Sequence, residues 1–137
     1  MNFLVDTNVL SQTRKGQPIA EVVRWWQRRS VSEMALSAIS VHEVRQGIEL
    51  APEGAKRNAL ELWLQDFVLR QLADRILPVD AAVADMSARL AVLAKKAGHT
   101  AELADVLIAA TAQVHRLKLA TLNRKHFEGL GVELVEF

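Results

Sequence analysis

The stretch "NFLVDTNVL" (residues 2–10) decides the fold. Phe3, Leu4 and Val5 read as a short strand, Asp6-Thr7-Asn8 is a polar interruption, and Val9-Leu10 return at once to apolar character. A carboxylate boxed in by apolar neighbours is costly to bury unless a partner or an ion compensates it. Its place, at the end of a strand, narrows what that compensation is for.

Working outward, four more segments read as strands: "MALSA" (34–38), "RILPVD" (75–80), "KLATLN" (118–123) and "VELVEF" (132–137). The intervening segments carry helical spacing. Ile19, Val22, Val23 and Trp26 fall on one face of a helix that Pro18 opens. A second helix is expected over 40–50, starting near Ser40. "APEGAKR" (51–57) reads as a bend, and 55–74 as a helix lined by Leu60, Trp63, Leu64, Phe67 and Val68. Residues 81–98 end with basic residues and Gly98 as a stop, and 101–117 is apolar nearly all round, so a buried helix is expected there. Strands alternating with helices predict an α/β protein, a three-layer α/β/α sandwich with a mainly parallel five-stranded sheet. With no repeat, linker or low-complexity tract, residues 1–137 read as a single domain.

Composition sets the outer limits. Half the residues are apolar and 24% are charged, ordinary for a globular chain. With no cysteine, disulfides and thiolate metal sites are excluded, and a reducing, cytoplasmic location is expected. "FLV" is too short for the core of a signal peptide, and no run approaches the roughly 20 apolar residues of a membrane span. A net charge of +1 gives no global argument for nucleic acid, so any such argument is local.

In a parallel sheet with right-handed crossovers, all strands present their C-terminal ends along one edge, where ligands bind. Asp6 ends the first strand, and Asn123 ends the fourth. Glu43 falls in the first turn of the helix after the second strand, with two readings: a member of the rim, or half of a capping box with Ser40. Asp105 is embedded in "LADVLIAAT", where a carboxylate is expensive to bury; the alternative is an exposed complement to the helix dipole. Asn123 reads equally as a rim amide or as a turn residue. Three carboxylates on one rim repel each other unless a cation neutralises them. Oxygen donors without sulfur favour Mg²⁺ or Mn²⁺, which activates water toward a phosphodiester.

Two other functions compete. An aspartyl-phosphate phosphatase or receiver domain also places Asp after its first strand, but the phosphatase pattern wants a second Asp where this chain has Asn8, and the receiver pattern fits no better. A module that binds RNA or protein without catalysis is the other, supported by the uncharged Asn123.

"LVDTNVL", "LSAISVHEVRQGIEL" and "ELADVLIAATAQVHRLKLATLNRKHFEGLGVELVEF", in this order, resemble the PIN-domain ribonucleases, and among them the VapC/FitB-like toxins of toxin–antitoxin pairs. The resemblance implies an α/β/α sandwich, Mg²⁺- or Mn²⁺-dependent RNA cleavage with transfer RNA as a candidate target, a homodimer, and a cognate antitoxin protein. It implies an acidic site of Asp6, Glu43 and Asp105, with Asn123 where the family often has Asp. Thr7, Asn8 and Thr121 match its polar surround, and Glu102, one turn before Asp105, is a secondary candidate.

Arg14, Lys15, Arg24, Arg28 and Arg29 make the early helices basic and are candidate phosphate contacts, against the plainer reading of a solvated face. Trp25, off the expected apolar stripe, is a candidate for stacking or for a protein interface, with packing in its own domain as the default. Arg45 reads as a phosphate contact or a surface ion pair. The four histidines show no nucleophile or zinc pattern.

Overall fold

A computed structural model describes all residues, 1–137. The sheet contains β1 (Phe3–Val5), β2 (Met34–Ser37), β3 (Ile76–Leu77) and β4 (Lys118–Ala120), in the order β3-β2-β1-β4 with every pairing parallel. The expected fifth strand is reduced to a single bridge, Leu134 beside Leu119, so the sheet has four strands rather than five. Leu119 donates to Glu133 O at 2.8 Å and accepts from Val135 N at 2.9 Å. With β4 only three residues long, little ladder remains for the tail to extend.

The helices are α1 (Thr7–Leu10), α2 (Ala20–Gln27), α3 (Ala38–Leu50), α4 (Ala55–Leu62), α5 (Ala81–Lys96), α6 (Leu103–His115) and α7 (Arg124–Phe127). The expected helix over 55–74 starts as α4 and continues as a π-helical stretch, Trp63–Gln71. Its wider turn keeps Leu64, Val68 and Leu72, spaced by four, together in the core. No helix is long and apolar enough to cross a membrane.

Strand alternation divides the interior into two halves. Leu4, Ala35 and Leu119 face one cluster with Val83, Leu90 and Ala94 of α5 and Val106, Ile108 and Ala109 of α6. Val5, Leu36 and Ala120 face the other, with Val22 and Trp25 of α2, Val44 and Ile48 of α3 and Leu64 of the π stretch. This is the three-layer sandwich. The core side of α6 is buried as its composition predicts.

The apolar stripe of α2 is rotated from the expected one. Val22 and Trp25 are buried, whereas Ile19 is 43% exposed and Trp26 only half-buried. The cause is non-local. Phe3 and Phe137 pack edge-on against Trp25, with ring centroids at 5.1 and 5.5 Å. Trp25 therefore takes its default role, packing within the domain.

The strand order fixes where ligands bind. Successive strands step outward from β1 to β3, and β4 then returns to the other side of β1. Between β1 and β4 lies the topological switch point, the place where parallel α/β sheets open a crevice beyond their carboxyl ends.

Candidate metal centre at the switch point

Asp6 sits at that crevice for local reasons. It ends β1, its carbonyl accepts from Val9 N and Leu10 N at 3.0 Å each, and it is the N-cap of α1. Its carboxylate is 5% exposed, with Oδ1 accepting from Thr7 N at 2.8 Å and Oδ2 from Thr121 Oγ1 at 2.7 Å. Thr121 Oγ1 accepts in turn from Asn123 N at 3.0 Å. A second brace closes the same gap, with Leu122 N donating to Asn8 Oδ1 at 3.1 Å. Thr121 and Asn8 thus tie the end of β4 to the end of β1.

Glu43 joins from α3. The capping-box reading fails, because α3 begins earlier: Ser37 is its N-cap and accepts from Ile39 N at 3.0 Å. Ser40 is fully buried inside the helix, and its Oγ lies 2.8 Å from Thr7 Oγ1. Thr7 Oγ1 donates to Glu43 Oε1 at 2.7 Å. Since a hydroxyl has one proton, Ser40 donates to Thr7, and a relay Ser40–Thr7–Glu43 holds the carboxylate toward β1.

Asp105 comes from the first turn of α6, half-buried. The neighbour the sequence did not announce is His126, whose Nδ1 lies 3.3 Å from Asp105 Oδ2. They are 21 positions apart in sequence and belong to different helices, so no spacing rule links them. Glu102 is exposed at the N-cap of α6, with no side-chain capping bond. Asn123 is exposed at the N-cap of α7 and takes part through its backbone N–H, its side chain capping nothing.

The electrostatics bind these residues into one neighbourhood. Burial pushes the Asp6 carboxyl up from its ordinary value; the Thr121 and Thr7 bonds pull it down, and the charges of Glu43 and Asp105 push it up again. Asp105 is also raised, by burial first; the His126 charge opposes this, and Glu102 and Glu43 add to it. Carboxylates that raise one another's pKa call for a cation.

Even so, no three Asp, Glu or His side chains lie close enough together to chelate one ion. A Mg²⁺ site tolerates this, because that ion commonly keeps several waters and takes only one or two carboxylates, with substrate phosphates completing the shell. The donor set of Asp6 and Asp105, with Glu43 at the rim, fits such an ion in chemistry and in charge.

The basic residues divide. Arg29 lies over the rings of Phe3 and Trp25, at 4.9 Å from each, and belongs to the core end of β1 rather than the rim. Arg24 pairs with Glu21 at 3.8 Å. Arg45 takes the plainer reading: it is bidentate to Glu61 at 2.7 and 2.8 Å and reaches Glu49 at 3.3 Å. The Arg45 guanidinium holds the Glu61 carboxyl down to about 2. Arg14 alone of this set lines the cleft that contains Thr7 and Glu43.

A parallel sandwich with its buried acid at the β1/β4 switch point is the architecture of a class, and the chain belongs to it: it is a member of the PIN domain family, matched over residues 3–131. Within that class the chain is 40% identical to Toxin FitB of Neisseria gonorrhoeae over 125 residues, which cover 91% of this chain and 90% of that protein. It is 36% identical to VapC ribonuclease Y4jK of Sinorhizobium fredii over 133 residues, covering 97% and 95%. The crystal structure of FitAcB from Neisseria gonorrhoeae superposes with a TM-score of 0.90 at 38% identity, covering 98% of this chain and 96% of that one.

Proposed function

We propose that this chain is a Mg²⁺- or Mn²⁺-dependent endoribonuclease and the toxin of a toxin–antitoxin pair. One observation carries the reading. A carboxylate 5% exposed at a switch point is raised by its burial first and further by the charges of Glu43 and Asp105, an arrangement that gains from a divalent ion. The similarity to a chain named a VapC ribonuclease and to another named a toxin supports the reaction and the setting.

In this reading Asp6 and Asp105 are the principal ligands, with Glu43 as a further ligand reached through a bound water, or as the proton acceptor. A bound divalent ion supplies positive charge for the phosphoryl oxygens and makes water acidic enough to attack near neutral pH. The protein's own part is positioning. Thr121 and Thr7 N–H fix both oxygens of Asp6, so the carboxylate is set before any ligand arrives. The Ser40–Thr7 relay leaves one Glu43 oxygen free of Thr7, able to take a proton from attacking water. Asn123 offers an amide without charge at the rim. The substrate is RNA, with transfer RNA the first to test. The partners are a cognate antitoxin and a second copy of the chain, for which the exposed Val92, Leu93 and Leu103 offer apolar surface.

A weakened RNA- or protein-binding module is the second reading, favoured by the uncharged Asn123 and the absence of a three-residue chelate. One experiment separates them. Purified protein is incubated with total RNA, with and without Mg²⁺, and the cut ends are mapped beside Asp6→Asn and Asp105→Asn. Metal-dependent cuts lost in both folded variants support the nuclease. Equal cutting by the variants sinks it, and no affinity for Mg²⁺ or Mn²⁺ in a titration favours the module.

A further inference from the structure

Two clefts meet at Arg14. One, of about 170 Å³, is lined by Thr7, Glu43, Gly47 and Trp63 as well as Arg14, and so opens directly from the carboxylate rim. The other, of about 400 Å³, adds Lys15 and Lys56, and the two share Arg14 and Leu60 as walls. Arg14, Lys15 and Lys56 form no ion pair with any carboxylate, unlike Arg45, Arg57 and Arg124. Arg14 is also held in place. Its guanidinium lies 5.7 Å from the Trp63 ring centroid, and Trp63 Nε1 donates to Thr13 Oγ1 at 3.2 Å.

Gly47 is an independent sign. It lies inside α3, one turn after Glu43, where glycine weakens a helix relative to alanine. Its φ is not in the left-handed region, and a Cβ there would meet nothing within 4 Å. Neither backbone geometry nor packing asks for glycine. What glycine does is leave the cleft wall bare beside Glu43.

We propose that these joined clefts are the path of single-stranded RNA away from the cut site, with Arg14, Lys15 and Lys56 holding successive phosphates and the strand passing over Gly47. The proposal deepens the nuclease reading and rests on it for the identity of the polyanion. Unpaired cations leading out of an acidic pocket suit a chain whose scissile phosphate needs the metal and whose flanking phosphates need Arg and Lys. An unpaired strand is the form of RNA flexible enough to lead successive phosphates along the wall that Arg14, Lys15 and Lys56 line.

The test is binding without catalysis. A fluorescein-labelled 12-nucleotide RNA is titrated in EDTA by anisotropy at several salt concentrations. Lys15→Gln/Lys56→Gln should weaken binding about tenfold and lower the slope of log K against log salt by about 1.4, near 0.7 for each phosphate no longer neutralised. The same charge change at the other end of the sheet, Arg116→Gln/Lys118→Gln, should leave both unchanged. Gly47→Ala should raise Tm by roughly 2–5 °C yet weaken RNA binding severalfold, a combination that damage to the fold cannot produce. Equal losses in the two double variants, or a Gly47→Ala protein that binds as wild type, overturns the path, as does a wild-type protein that does not bind the RNA. If polyglutamate loses affinity in Lys15→Gln/Lys56→Gln while RNA does not, the cleft belongs to an acidic polypeptide and the proposal fails. Metal-dependent cleavage is scored separately. RNA bound through this cleft but never cut would refute the nuclease and leave the path standing.

Discussion

Replacing Thr121 by valine tests how the rim is built. The change keeps volume and β-branching in a residue only 1% exposed, so packing is conserved and one hydroxyl is lost. That hydroxyl is the donor to Asp6 Oδ2 at 2.7 Å. A hydrogen bond to a charged group contributes about 1.5–3 kcal/mol, and the carboxylate left behind is desolvated. Asn123 N–H also loses its acceptor, but that residue is exposed and water replaces it. Thr121→Val should therefore cost about 2 kcal/mol at pH 7, roughly 6–10 °C in Tm for a chain of this size. The bond lowers the Asp6 pKa, so its contribution is present while Asp6 is ionised and is lost as pH falls through the Asp6 titration. The Tm difference should shrink on acidification. Differential scanning fluorimetry across pH, upward from the ordinary carboxyl value, in wild type, Thr121→Val, Asp6→Asn and the double variant follows that dependence. The cycle should return a coupling of at least about 1 kcal/mol at pH 7. A Thr121→Val loss that is as large in the Asp6→Asn background, or that does not depend on pH, would show that the hydroxyl serves packing and not the carboxylate.

Other outcomes follow from the same geometry. Asp6 is raised above its ordinary 3.8, so the folded chain holds that proton to higher pH than the unfolded one, and stability should fall as pH rises from about 4 through the raised value. Asp6→Asn should flatten that slope in pH-dependent urea unfolding. Mg²⁺ at about 100 times its Kd should raise stability by about 2.7 kcal/mol in wild type and far less in Asp6→Asn or Asp105→Asn, read as a Tm shift. Glu61 is held down to about 2 by Arg45, so what that pair adds is complete above the ordinary carboxyl value of 4.5 and is lost as pH falls from there toward 2. Arg45→Gln should remove that part of the acid sensitivity, although the pair is exposed and its effect small. Trp25→Ala opens a void between Phe3 and Phe137 and should cost about 3–5 kcal/mol in chemical denaturation.

The parts of the structure that were legible in the sequence are the local ones. A three-residue apolar run ending in Asp6 needs only period and polarity to be read as a strand end at the sheet's carboxyl edge. The parallel architecture follows from alternation of elements, and the burial of α6 follows from its composition. The rotated face of α2 was not legible, because Trp25 is chosen by rings contributed from residues 3 and 137. The sequence places the start of α3 at Ser40, whereas the helix begins at Ala38 with Ser37 as its cap. The fold decides by placing Ser40 against Thr7, 33 positions away. The same tertiary choice turned Glu43 from a local cap into a member of the rim.

One helix boundary therefore sets the charge of the crevice. Had Ser40 capped α3, Glu43 would have accepted from the Ser40 backbone N–H, and the rim would have held only two carboxylates. With Ser37 as cap, Ser40 and Thr7 are free to form a relay that holds Glu43, whose charge adds a little to the rise that burial gives Asp6. The consequence is testable at Ser37, outside the acidic set. Ser37→Ala removes the bond to Ile39 N and should cost about 1 kcal/mol as a lost cap. Ser40 is then the competing cap, and its capture would withdraw the donor from Thr7 and loosen Glu43. Metal affinity measured by calorimetry should fall in Ser37→Ala while Thr7, Glu43 and Asp6 remain chemically intact. An unchanged affinity beside the expected loss of stability would mean that Glu43 is held by Thr7 alone, and that the position of the cap has no bearing on the metal centre.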